Sequence, residues 1–375
     1  MPIQPPATIG IFGGGQLGRM TSLAARSLGF NIRVLDPGAD CAAAPVVDRV
    51  VQAAFDDEAA AATFANGCDV VTLEIEQISA GALAAASRCA PVRPSPETIH
   101  IIQDRQRQKE WLSRIGAPIG PFAVIESAGD LARAARTIGP QLFVKACHGG
   151  YDGRSQFRYD GAVNAQDAFA SIGNLRSVAE QALPLAMELS VLVARRPSGD
   201  VAVYAPAVNH HDNQILSWSV LPGDLDPRIA SEAQRIASDI AGELHLEGIL
   251  AVELFLLTDG RLFVNELAPR PHNSYHASEL ACATSQFEQH VRAVCDLPLG
   301  DTRIVRPAAI VNLFGDLWLD GRAPNFSRAL SVPGSRLFLY GKRGPRAARK
   351  MGHIAAGADT PALAIEAALQ ARSLL

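Results

Sequence analysis

ILAVELFLLTDGRLFVNEL, residues 249–267, decides how the chain is read. Apolar residues dominate both halves, and Asp259-Gly260 between them is a hairpin signal. If that pair forms a two-residue turn, Glu253 and Glu266 become direct cross-strand neighbours, with Cβ atoms roughly 5 Å apart. Like charges so placed repel, and a bare carboxylate in an apolar strand is costly. A divalent cation shared by both carboxylates and by nucleotide phosphates resolves the conflict, and Mg²⁺ is the usual ion of that kind. Two glutamates on a solvated sheet face are the plainer alternative. Asn265 falls on the opposite strand face unless a bulge intervenes.

Downstream, APRPHNS (268–274) follows the second strand directly. Arg270 offers a planar fork for a small oxyanion, and His272 and Asn273 add donors in a proline-stiffened loop. Leu280, Ala283, Phe287, Val291 and Val294 recur at helical spacing, which predicts one helix with a buried face. Upstream, LFVK (142–145) reads as a strand running into the glycine loop HGGYDGRSQ (148–156). Lys145 beside free backbone N–H groups describes a phosphate cradle that is not a Walker A pattern; a solvated lysine is the alternative. MELSVLVA (187–194) and VAVYA (201–205) look like paired strands, and 101–139 reads as mostly helical around a loop at Gly116–Pro121.

The N-terminal stretch alternates strand and helix: TIGIF (8–12), NIRVL (31–35) and DVVTL (69–73) are strands of a parallel sheet. Gly13, Gly15 and Gly18 open a helix after the first strand, and Asp36 ends the second, which imitates a dinucleotide site. A tight turn without nucleotide fits the same residues. Ser95 and Pro96 predict a helix start and a domain boundary nearby. Lys342, Arg343, Arg346, Arg349 and Lys350 form a basic run suited to a phosphate-bearing small molecule, or simply a solvated surface. The pair His210-His211 is weak evidence for a metal.

The 375 residues imply two or three domains. With 34 basic and 38 acidic residues, the net charge of −4 argues against a nucleic-acid binder. Hydrophobic residues at 48% exclude general disorder, and no apolar run reaches membrane-spanning length. The six scattered cysteines read as small buried residues in a reducing cytosol, and no secretory signal is seen. A cytoplasmic location is expected.

Taken together, these blocks resemble the ATP-grasp superfamily and, within it, the N5-carboxyaminoimidazole ribonucleotide synthetase family. GGGQLGRM (13–20) and NELAPRPHNS (265–274) carry the family likeness; DRQRQK (104–109), VKACHGGYDGRSQ (144–156), EQALPLAMELSV (180–191), TSQFEQHVRAV (284–294) and GKRGPRAARKMGH (341–353) follow in order. The Lys-Gly loop and the glutamate pair are superfamily features. Tyr275 stands where glycine is common, Ser155 replaces a loop glycine, and Cys147-His148 replaces a more usual basic or small pair. The resemblance implies an α/β fold, α+β in its ATP-grasp part. It has an N-terminal Rossmann-like preATP-grasp domain (1–100), an ATP-grasp domain (101–302) with a lid at about 122–182, and a C-terminal domain (303–375).

The implied reaction is carboxylation of aminoimidazole ribonucleotide by bicarbonate, with ATP consumed through carboxyphosphate and Mg²⁺ as cofactor. Arg105, Lys145 and the loop Gly150, Tyr151, Asp152, Gly153, Arg154, Ser155 and Gln156 would meet ATP phosphates. Glu180, Gln181, Ala182 and Leu183 would form the adenine hinge, with Glu188 on ribose, His211 on nucleotide, and Asn265 beside the metal ligands Glu253 and Glu266. Arg270, His272 and Asn273 would surround bicarbonate. Asp152, Arg154, Lys342 and Arg349 would serve the ribonucleotide, with Gly15, Gln16, Leu17 and Glu74 at the glycine turn. The family suggests a homodimer. Rival readings are another ATP-grasp ligase, a dehydrogenase built on Gly13–Gly18 and Asp36, and a non-catalytic ATP-binding regulator.

Overall fold

The computed structural model describes residues 1–148, 156–212, 214–321 and 324–375. Strands β1 (Thr8–Phe12), β2 (Asn31–Asp36), β3 (Arg49–Gln52) and β4 (Val70–Leu73) form a parallel sheet in the order β3-β2-β1-β4. Ile9 and Ile11 face a core shared with Ala25 and Val291, while Phe12 packs on the opposite face with Phe64 and Leu83. A strand buried on both faces reads as a continuous apolar run, which is why TIGIF was legible. Strand β3 was not: it is short, and none of its side chains is buried. Ser95 caps the helix Pro96–Ile102, its side chain accepting from the Thr98 N–H at 3.2 Å.

A second sheet comprises β5 (Phe122–Ile125), β6 (Leu142–Ala146), β7 (Gln156–Tyr159) and β8 (Ser177–Gln181), in the order β5-β8-β6-β7. It has its own core, including Leu131, Val144, Phe169 and Ala179. The stretch 101–139 is therefore not simply helical. Helices Arg105–Arg114 and Ala128–Thr137 flank β5, and FAVI is too short for its period to show.

The main sheet holds β9 (Leu185–Arg195), β10 (Val201–Val203), β11 (Ala207–Asp212), β12 (Ile215–Leu221), β13 (Gly248–Leu257), β14 (Leu262–Ala268), β15 (Ala308–Phe314), β16 (Ser335–Leu339) and β17 (Lys350–Gly357). The order is β14-β13-β9-β11-β12-β15-β17-β16, and β10 pairs with β9 as expected. The C-terminal strands thus extend the central sheet through the antiparallel β12–β15 pairing. Helix Pro227–Glu243 lays Ala233, Ile236 and Ile240 against Val191, Val193 and Leu250.

The helix expected over 280–294 is shorter. It runs Gln286–Val294, because the Ser285 side chain accepts from the Glu288 N–H and starts it afresh. Leu280 lies in the separate turn Ser278–Ala281, and Ala283 is exposed. Phe287, Val291 and Val294 are buried; Val291 and Val294 join this helix to the N-terminal sheet, and Phe287 packs on Leu17 and Met20. Cys89 is exposed, against the expectation of burial, while Cys147, Cys282 and Cys295 are buried. Among the described residues no helix is long and apolar enough to cross a membrane.

Candidate active site

The hairpin of β13 and β14 brings Glu253 opposite Glu266, but not through a two-residue turn. The Leu257 N–H donates to the Arg261 carbonyl at 2.9 Å, so the loop is Thr258-Asp259-Gly260, with Gly260 at φ +84°. That left-handed conformation suits glycine in a three-residue hairpin loop. The longer loop shifts the register by one residue, and Leu254 pairs with Val264. A bulge beyond Leu254 then adds Asn265 to β14 and restores the pairing of the two glutamates. The bulge also aims Asn265 at the site: its Nδ2 donates to Glu253 Oε2 at 3.3 Å, and its Oδ1 accepts from Lys145 at 3.2 Å.

Basic side chains frame the pair. Arg105 Nη1 lies 2.8 Å from Glu266 Oε2, and His272 Nε2 lies 3.1 Å from Glu253 Oε1. Burial pushes the Glu253 carboxyl up, but the His272 hydrogen bond and charge outweigh it and hold it below the ordinary range. Glu180 sits between Lys109 at 2.8 Å and Lys145 at 3.0 Å. Burial opposes its ionisation, yet the two ammonium groups bring it down to about 2. His211 Nδ1 lies 2.9 Å from Glu188 Oε2, and Arg270 Nε lies 2.7 Å from Glu76 Oε1. His210 instead stacks on Trp218, so the neighbouring histidines do not act as a pair.

Apart from Lys109, His210 and Trp218, these groups line one cavity of about 700 Å³. Its polar part holds Arg105, Lys145, Glu253 and Glu266; its apolar end is walled by Phe143, Leu183, Leu185, Leu216, Phe255 and Phe263. Gln181 also lines it. The Ala182 N–H is engaged by the Gln141 carbonyl at 2.9 Å. Asn273 is buried at the cavity wall, and neither its amide nitrogen nor its oxygen has a partner among the described residues. A buried amide of that kind is suited to a ligand.

The glycine turn answers the dinucleotide question. The Glu74 carboxylate accepts from the Gly15 N–H at 2.5 Å and the Gly18 N–H at 2.8 Å. Asp36 accepts from the Gly14 N–H at 2.7 Å, so it faces the turn. The chain's own acids fill the cradle that a pyrophosphate needs, and the dehydrogenase reading loses its site. Burial pushes Glu74 up, opposed by those two N–H groups and by Lys342 and Arg270. Lys342 bonds the Gln16 side-chain oxygen and lies 5.5 Å over the Tyr340 ring. Gly15, Gln16, Glu74 and Lys342 are thus neighbours, while Leu17 packs with Met20 and Phe287.

The basic run splits. Lys350 is buried and lines the cavity, Arg343 lies 3.6 Å from Asp40, and Arg349 Nη1 donates to the Gly344 carbonyl at 2.8 Å. Gly150, Tyr151, Asp152, Gly153, Arg154 and Ser155 lie outside the described residues; Gln156 begins β7 and lines the cavity. Sequence reading missed Lys109 and Glu76, and it placed Lys350 in the basic run rather than at this cavity. Arg105 and Lys109 stand four apart on a helix capped by Asp104, a spacing that sets both on one face.

Two facing carboxylates are hard oxygen donors that fit Mg²⁺. Among the described residues no third His, Cys, Asp or Glu joins them in a metal-holding group. Phosphate or water oxygens would complete the shell, the usual situation for Mg²⁺.

Known proteins share this organisation. Residues 6–103 match the ribonucleotide synthetase preATP-grasp domain, 110–287 the ATP-grasp domain, and 308–367 the phosphoribosylaminoimidazole carboxylase C-terminal domain. The N5-carboxyaminoimidazole ribonucleotide synthase of Bacillus subtilis is 38% identical over 353 residues, 94% of this chain and 92% of that protein. The chain belongs to the N5-carboxyaminoimidazole ribonucleotide synthase family. The crystal structure of an N5-carboxyaminoimidazole ribonucleotide synthetase bound to ADP superposes with a TM-score of 0.93 at 36% identity, covering 99% of this chain and 97% of that one. The Aspergillus clavatus N5-carboxyaminoimidazole synthase, in complex with ADP and 5-aminoimidazole ribonucleotide, gives 0.90 at 30% identity over 98% of each chain. Like those synthases, this ATP-grasp ligase combines a parallel N-terminal sheet, an ATP-grasp domain and a C-terminal segment.

Proposed function

We propose that the chain carboxylates 5-aminoimidazole ribonucleotide with bicarbonate and ATP, giving N5-carboxyaminoimidazole ribonucleotide, ADP and phosphate. The observation that carries this reading is one cavity in which a facing glutamate pair is framed by Arg105, Lys145 and His272. Adenine fits the apolar end beside Gln181 and Leu183, and the Glu188–His211 pair serves ribose. Arg105 and Lys145 take phosphate oxygens, together with residues 150–156. Glu253 and Glu266 would hold Mg²⁺, which supplies charge neutralisation on the triphosphate.

Bicarbonate is a poor electrophile because hydroxide leaves badly. A bicarbonate oxygen bonds to the γ-phosphorus as the bond to ADP breaks. Arg270 and Asn273 orient the bicarbonate, and Lys145 steadies developing charge. The ribonucleotide amine then bonds to the carboxyl carbon, phosphate leaves, and Asp152 accepts the amine proton. Gln16, Glu74, Lys342 and Arg349 hold the ribonucleotide, and a lid over about 122–182 excludes water from the labile intermediate. The domain division 1–100, 101–302 and 303–375, a homodimeric assembly and a cytoplasmic location complete the reading.

The test is ADP release with aminoimidazole ribonucleotide, bicarbonate and Mg²⁺ each omitted in turn. Release is expected to need all three for full rate. Equal release with another amine or carboxylate acceptor in place of the ribonucleotide would overturn the substrate assignment.

A further inference from the structure

Gln286, His276, His353 and Tyr340 are fully buried and have no part in the chemistry above. Gln286 grips the loop that carries His272 and Asn273. Its Oε1 accepts from the His272 N–H at 2.8 Å, and its Nε2 donates to the His272 carbonyl at 2.9 Å. The same nitrogen lies 3.1 Å from His276 Nδ1. The His276 ring stacks on His353 at 4.6 Å, and Phe338 stacks on His353 at 4.5 Å. His353 Nδ1 lies 2.8 Å from the Tyr340 hydroxyl, and the Lys342 ammonium rides over the Tyr340 ring. An unbroken buried line of contacts thus joins His272, which touches Glu253, to Lys342, which touches Gln16.

Close-packed rings transmit position with little give. Burial brings His353 down to about 3 and holds His276 well below its ordinary value, so both are neutral at physiological pH. Nε2 of each lacks a partner among the described residues. Two phenylalanines would stack without that penalty, so apolar packing alone does not account for the histidines.

We propose that Gln286, His276, His353 and Tyr340 are positioning residues that set the spacing between the phosphoryl end of the site and the acceptor end. Phosphorylated bicarbonate then meets the ribonucleotide amine before it meets water. The inference rests on the placement of the ribonucleotide beside Lys342.

The test counts phosphate released and aminoimidazole ribonucleotide consumed in one reaction, for Tyr340→Phe and His276→Leu. Phosphate per ribonucleotide is expected to rise by about threefold or more in His276→Leu, because a small misplacement of reacting groups is costly. The KM for ATP is expected to stay within about twofold, and His276→Phe, which keeps the stack but not the nitrogen that meets Gln286, to restore the ratio only in part. A merely structural role lowers both counts together, and an unchanged ratio overturns the proposal. Should His276→Leu fail to fold, Tyr340→Phe, which removes a single hydroxyl, decides by the same ratio. An unchanged ribonucleotide KM in Lys342→Ala would instead overturn the underlying placement of the acceptor.

Discussion

Replacing Glu180 by glutamine removes the carboxylate that holds Lys109 at 2.8 Å and Lys145 at 3.0 Å. Burial alone drives Glu180 upward; the two ammonium groups overcome it and carry the carboxyl from an ordinary 4.5 to about 2. At about 1.4 kcal/mol per pH unit, that favours the charged form by about 3 kcal/mol. Lys109 itself is drawn below its ordinary value by burial, which Glu180 opposes, so the carboxylate is the group that stabilises the cluster. The variant also leaves buried Lys109 and partly buried Lys145 without their shared counter-ion, and breaking a buried pair costs about 3–5 kcal/mol. The expected loss at pH 7 is about 3 kcal/mol. It is read as a shift of the urea midpoint followed by tryptophan fluorescence, with Trp111 on the helix that carries Lys109. Because the folded pKa is depressed, this stabilisation is fully present above the unfolded value and is lost as the pH falls toward about 2. The difference between the two proteins should be flat from neutral pH to about pH 4.5 and shrink below it. A difference under about 1 kcal/mol at pH 7, or one undiminished at about pH 3, refutes the reasoning.

Glu266→Gln should cut ATP consumption by about a hundredfold or more; near-normal turnover in saturating Mg²⁺ would reject Glu266 as a metal ligand. Lys342→Ala should raise the KM for the ribonucleotide with that for ATP little changed, and equal loss for both would count against its assignment. In Gly15→Ala a Cβ would lie 2.4 Å from Glu74 Oε1. That variant should lose ribonucleotide affinity by about tenfold while calorimetric ADP binding persists; unimpaired ribonucleotide binding would show that the turn does not serve it. Tyr275→Phe strands two carbonyls, of Ser190 and Ala205, that the hydroxyl meets at 2.9 and 2.8 Å. It should lower stability by about 1–3 kcal/mol, and an unchanged thermal midpoint would reject that role for the hydroxyl.

The hairpin was legible because its apolar runs flank an Asp-Gly pair, and its chemistry followed from two acids in apolar surroundings. The turn length was wrong by one residue and the bulge was unforeseen, yet the glutamates still face each other because the two departures cancel. Periodicity misled at Leu280 and Ala283, where apolar spacing continued across a Ser285 cap that starts a new helix. Lys109 escaped because hydrophobic pattern reading passes over a polar residue on a charged helix, even at the spacing that pairs it with Arg105. The glycine turn could not be resolved locally. The group that fills it, Glu74, lies 59 residues from Gly15 in sequence, and only the parallel pairing of β1 with β4 brings it there.

The seam between β12 and β15 limits how the molecule can be divided. A fragment that stops before Ala308 would leave the β12 edge with bare amide and carbonyl groups, a template for association with other copies. It would also lose Lys342 and Lys350, which the final strands deliver. The tail is therefore woven into the same sheet that carries the glutamates, and cannot be trimmed as an appendage.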